Sequence, residues 1–168
     1  MNTGMDKHTR PDQYKVSGPA IDGLKMWGSY ELTVRRAGKI IEKRQGKNLI
    51  TDVGEGLAAA RMDTNDTSPA PDHIAFGSGA ATALKADTQL QTEIAGTRTL
   101  VSSTVLTGNA VQLVFQHTAT APFTLFEMGI FNAITSGTMA SRFLVQKLTM
   151  VISDIIDITW TLTFTGVD

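Results

Sequence analysis

The sequence predicts an all-β protein: an antiparallel β-sandwich of jelly-roll type, with one short helix and an extended N-terminal arm. Three observations carry that prediction. Ile156, Ile158, Trp160, Leu162 and Phe164 alternate with Asp157, Thr159, Thr161, Thr163 and Thr165. This period of two puts apolar side chains on one face of a strand and polar ones on the other. Two β-prone runs flank Thr107-Gly108-Asn109, where Gly and Asn tolerate the positive φ of a tight hairpin turn. The remaining short apolar runs are punctuated by Gly, Asn and Ser in the same manner and bring the total to about eight strands. Two antiparallel sheets packed face to face are the natural way to bury them.

Residues 1–28 show no strand or helix period. Pro11, Pro19, Gly4, Gly18 and Gly23 lie among scattered charges, so this segment reads as an extended arm that is ordered only when something holds it. Leu24, Met26 and Trp27 are apolar and would anchor its end. The sandwich domain then spans residues 29–168. In its first strand Tyr30, Leu32 and Val34 oppose Glu31, Thr33 and Arg35. Ala37-Gly38 is a turn signal and Lys39 to Arg44 its hairpin partner. Residues 48–62 read as the helix, capped by Thr51 or Asp52, with Glu55 three residues after Asp52 as in a capping box. Asp63 to Asp72 is a polar loop. His73 to Phe76 is a short strand ending in Gly77-Ser78-Gly79, and residues 80–98 show no clear period. Thr99 to Leu106 and Ala110 to His117 form the hairpin around Gly108. Thr124 to Asn132 and Met139 to Val145 are strands joined through Ser136-Gly137-Thr138.

Hydrophobic residues make up 42% of the chain and charged residues 18%. The low charged share suits a protein that buries surface against partners. No apolar run approaches the ~20 residues that span a bilayer, and the first fifteen residues lack the apolar centre of a secretory signal. Synthesis in a cytosol, with no membrane association, is the expectation. Cysteine is absent, so disulfides and thiolate metal sites are excluded. Residues 1–47 carry ten Lys/Arg against five Asp/Glu, while residues 48–168 carry five against eleven. The basic half is fit to dock on an acidic surface.

No catalytic constellation is visible, and the reading is a protein that is not an enzyme. His8, His73 and His117 are scattered, and no HExxH spacing occurs. Gly77-Ser78-Gly79 lacks the following Gly-Lys-Ser/Thr of a phosphate loop and reads as a bulge or bend. No GxSxG elbow is present. Asp154 and Asp157 sit where a turn wants carboxylates. Glu127 lies inside the apolar run Leu125 to Phe131, where a lone charge costs several kcal/mol. It needs a structural ion pair, with Arg142 as the first partner and Arg98 as the second. Arg35, Arg36, Lys39, Lys43, Arg44 and Lys47 concentrate positive charge in one hairpin, with only Glu42 opposing them. Aromatic residues that would stack bases are missing between them, so specific nucleic-acid binding is not expected. These six residues and Trp27 are the candidate partner contacts. No cofactor or metal site is implied.

Residues 48–168 resemble a group of tailed-bacteriophage virion proteins with a β-sandwich core. The segments that carry the resemblance are Asn48-Leu49-Ile50-Thr51 with Gly54, then His73 to Gly79, Thr88-Gln89-Leu90 with Glu93 and Arg98, and Thr107-Gly108-Asn109. They continue with Phe126 to Asn132, Ala140-Ser141-Arg142-Phe143 and Ile158 to Leu162. The hairpin Tyr30 to Arg44 resembles small proteins encoded near phage capsid genes. The resemblance implies a structural virion protein made in the host bacterial cytoplasm. Its leading form is a capsid decoration (cement) protein bound to the major capsid protein, as a homo-oligomer such as a trimer. A tail, collar or baseplate/fibre adaptor bound to tail proteins is the alternative. A carbohydrate-binding module for host recognition is the second alternative.

Overall fold

The computed structural model describes residues 24–61, 63 and 65–166. Nine strands and one helix follow in chain order. They are β1 (Leu24–Arg36), β2 (Lys39–Ile50), α1 (Asp52–Ala60), β3 (His73–Gly77), β4 (Thr99–Leu100), β5 (Ser103–Thr107), β6 (Ala110–Thr118), β7 (Phe123–Phe131), β8 (Met139–Met150) and β9 (Ile155–Gly166). All nine strands belong to one antiparallel sheet in the order β4-β3-β7-β8-β2-β1-β9-β6-β5.

The sheet curls into a half-barrel, and the strand pairing shows how. β2 pairs with β1 along most of its length, but only Leu49 and Ile50 at its end pair with β8, opposite Arg142 and Ser141. One strand therefore serves both halves of the sheet, where the sequence leads one to expect two separate sheets. The two edges also approach each other. Thr99 and Leu100 pair with β3, and Ser103 to Thr107 pair with β6. Between them Val101 N–H donates to Asp72 C=O and Ser102 N–H to Val114 C=O, both at 2.7 Å. A single extended segment thus crosses from one edge to the other.

The inward alternation of the strands fills the space enclosed by the curl. Leu32, Val34, Phe115, Ile156, Ile158 and Trp160 come from one half, and Ile74, Phe76, Leu125, Met128, Ile130 and Phe143 from the other. Tyr30 stacks on Phe143 across the core with ring centroids 4.5 Å apart. Leu162 and Phe164 continue the inward face of β9 but are only half-buried.

Two boundaries differ from the sequence reading. β1 starts at Leu24, so residues 24–28 belong to the sheet and not to an arm. Trp27 lies opposite Thr163, and Gly28 opposite Leu162 and Asn48. Glycines on either side hid this alternation. The remainder of the expected arm, residues 1–23, lies outside the described residues. The helix also begins later than expected, because residues 48–50 finish β2. Its N-cap is Thr51, whose Oγ1 accepts from Gly54 N–H at 3.0 Å and donates to Met139 C=O at 2.7 Å. The cap one residue before Asp52 leaves Glu55 free to bond Lys85. Gly54 brings α1 against β8 so closely that a Cβ there would stand 2.0 Å from the Ala140 carbonyl oxygen.

Two outcomes are expected in denaturant unfolding. Trp160→Ala costs about 3–5 kcal/mol, as for other large core truncations. Gly54→Ala, a single added methyl group, costs about 1–3 kcal/mol because the neighbour it meets is backbone.

Candidate partner-binding surface

The β1–β2 hairpin turns through Ala37 and Gly38, both at positive φ (48° and 76°), the backbone a tight hairpin demands. Its arginines are committed inside the molecule. Arg35 bonds Asp157. Arg36 grips Asp154 bidentately, at 2.8 and 2.7 Å. This bond, with the Val151 N–H, holds the buried Asp154 carboxyl below the usual carboxylate range. Arg44 bonds Glu42 at 3.2 Å and reaches the Gln146 and Lys147 carbonyls of β8, beyond the point where the β2–β8 ladder ends. Lys39, Lys43 and Lys47 are exposed and make no ion pair among the described residues. Of the six basic candidates, then, the three lysines remain available to a partner.

The same pairings gather apolar surface. Ile40 lies opposite Arg35, which lies opposite Ile155 at the start of β9. The Arg36–Asp154 bond ties the hairpin to the β8–β9 turn. Ile40, Ile41, Val151 and Ile152 therefore lie at the same end of the sheet, and all four are exposed, Ile152 to 60%. Trp27 lies on the outer face of β1, on a strand and not in a loop, and is 42% exposed.

A second feature is an apolar cavity of about 330 Å³ between α1, residues 70–72 and the inner face of β1, β9, β6 and β5. Met26, Leu57, Val111, Leu162 and Phe164 are among its apolar lining residues, and Thr104 of β5 also lines it. The half-burial of Leu162 and Phe164 is explained by this opening.

The ion pair at Glu127 is structural. Glu127 is 0% exposed and Arg142 is 2% exposed. Arg142 Nε and Nη2 meet Glu127 Oε2 at 2.8 and 2.7 Å. Glu127 Oε1 accepts from Gly79 N–H (3.1 Å) and Thr92 N–H (2.9 Å), and Oε2 accepts from Gln91 N–H (3.1 Å). Arg142 also donates to Asp87 Oδ2 (2.6 Å) and the Ala81 carbonyl (3.0 Å). Burial pushes the Asp87 carboxyl up, but the Leu84 N–H and Arg142 outweigh it and hold the group low. Gly77 and Gly79 flank the carboxylate closely: a Cβ on either would lie 2.5 Å from Glu127 Oε1. Gly77-Ser78-Gly79 is thus part of a cradle for an internal carboxylate. Arg98 serves elsewhere, bonding Glu93 and the Ala133 and Ser136 carbonyls and lying 4.0 Å over the Phe131 ring.

Two histidines, His73 and His117, lie among the described residues. His73 Nδ1 lies 2.5 Å from Asp72 Oδ1, and His117 Nδ1 shares a hydrogen bond of 2.8 Å with Thr99 Oγ1. Burial pushes the His117 imidazole down. No helix among the described residues is long and apolar enough to cross a membrane.

No family model, curated protein or solved structure matches the chain.

Removing one partner of the buried pair leaves an uncompensated charge. Arg142→Met is expected to cost about 3–5 kcal/mol, and the double variant with Glu127→Gln to recover part of the loss; paired denaturation curves measure both. His117 gives a pH signature. Its folded pKa lies below the unfolded value, so its contribution is fully present above pH ~6.5 and is lost as pH falls towards the depressed folded pKa. His117→Gln is expected to flatten that part of the stability profile.

Proposed function

We propose that this chain is a structural virion protein of a tailed bacteriophage, a capsid decoration (cement) protein that works by binding other protein surfaces. The observation that carries the protein-binding reading is the hairpin end. Ile40, Ile41, Val151 and Ile152 are exposed there together, beside Lys39 and Lys43. Apolar surface gathered in this way marks contact with another surface, at about 25 cal/mol for each Å² removed from water. The lysines steer the approach to an acidic shell. The virion assignment rests on the order and spacing of the segments across residues 48–168, from Asn48-Leu49-Ile50-Thr51 to the run Ile158 to Leu162, which together resemble such proteins. On this reading the two facing halves of the sheet act as the layers of a sandwich. Copies of the chain, as an oligomer such as a trimer, bridge neighbouring subunits of the major capsid protein. The added interface braces the lattice against internal DNA pressure. An adaptor in the tail, collar or baseplate would use the same surface.

Trp27 favours a second reading. An indole 42% exposed on a sheet face, opposite Thr163, offers a flat platform for the apolar face of a sugar ring. That is the arrangement a host-recognition module would need.

Imaging the intact particle of the phage that encodes the chain separates these readings. Symmetric copies over the shell are expected; a few copies at the tail mean the adaptor, and absence from the particle sinks the virion reading. The paired change Ile40→Asp, Ile152→Asp is expected to weaken binding to particles lacking the protein about tenfold or more, with Trp27→Ala neutral. The reverse pattern, together with saturable glycan binding, would establish the sugar-binding module instead.

A further inference from the structure

We infer that β5 and the adjoining apolar cavity together form a strand-addition site for an extended peptide segment of a partner protein. The inference deepens the protein-binding reading and rests on it. Two separate observations meet at Thr104. The first is the sheet edge. β5 is the last strand and pairs only with β6, so its other side has no strand partner among the described residues. All five residues, Ser103 to Thr107, are exposed, Leu106 to 74%. The usual guards of such an edge are charged side chains, especially Lys, and Pro. None occurs in Ser103-Thr104-Val105-Leu106-Thr107. The second is the cavity, whose lining includes Thr104 beside the apolar Met26, Val111, Leu162 and Phe164, with Arg61 and Asp72 as its charged members.

A row of unpaired backbone N–H and C=O groups is complementary to another extended backbone and to little else. When a pocket adjoins that row, alternate side chains of the added strand enter it: the main chain supplies affinity and the pocket supplies specificity. The volume of about 330 Å³ takes one or two large apolar side chains. The occupant is therefore an extended, uncharged segment with a Leu, Ile, Phe or Met aimed inward and polar residues between.

The probe is a set of synthetic hexapeptides that alternate threonine with Leu, Ile, Val, Phe or Met. The full chain carrying Trp27→Phe keeps Trp160, in the cavity wall, as its only tryptophan and its reporter. At least one peptide is expected to give a saturable change in Trp160 fluorescence. Ala58→Phe, which fills the cavity from α1, is expected to weaken that peptide about tenfold or more. A variant with unchanged unfolding behaviour shows that the loss is not misfolding. The decisive pair is the same peptide N-methylated at alternate amides in each of the two phases. A strand added to one edge bonds through alternate residues only, so one phase abolishes binding and the other leaves it within about twofold. Binding by no peptide, equal tolerance of both phases, or occupation by the apolar dye 1-anilinonaphthalene-8-sulfonate alone would overturn the inference. So would sedimentation that shows the edge already closed by a second copy of the chain. None of these measurements needs the particle, so this inference and the virion reading fail separately.

Discussion

A carboxylate that cannot be left alone organises one half of this molecule. Glu127 points into a core that excludes water, and every lone pair it offers is answered: by Arg142, and by the N–H groups of Gly79, Gln91 and Thr92. The answering groups come from β8 and from the loop after β3. Satisfying one charge thus fixes where some twenty residues of irregular chain must lie, and Asp87 extends the network by neutralising the second side of the guanidinium. Such a pair contributes little net stability over an apolar core of equal volume. Its contribution is to position, since any rearrangement of the loop strands a charge.

The other half depends on a break. β2 leaves β8 after two rungs, and the curl of the sheet begins at that separation. Exposed carbonyls on β8 are the cost of the break, and Arg44 covers two of them. Asn48 and Ser141 bond each other at the fork, and Ser141 Oγ donates to the Leu49 carbonyl. Side chains thereby complete a ladder that the backbone cannot continue.

Much of this was legible in the sequence wherever a period of two ran uninterrupted. The inward faces of β1 and β9 follow from alternation alone, and Thr107-Gly108-Asn109 names its hairpin because a two-residue turn needs a positive φ, which Gly108 adopts at 58°. The burial of Glu127 follows from the apolar run that contains it. Other features carry no local signal. Residues 80–98 are irregular because they are shaped by a distant carboxylate, and no periodicity records that. The commitment of Arg35, Arg36 and Arg44 to Asp157, Asp154 and the β8 carbonyls depends on strand order, so the hairpin looks far more available in sequence than in space. The cavity is invisible for the same reason: its walls come from seven separate elements.

The pairing of Leu24 with Gly166 sets how the domain responds to load. β1 and β9 are antiparallel neighbours whose outer ends lie at the same end of the sheet. Tension applied through those two ends peels the ladder one rung at a time, the weakest way to stress hydrogen bonds. Tension applied between the hairpin turn and the Leu24 end runs instead along the covalent backbone of β1, which is already extended. The same fold is therefore soft in one direction and stiff in another, and the stiff direction begins at the exposed isoleucines of the hairpin.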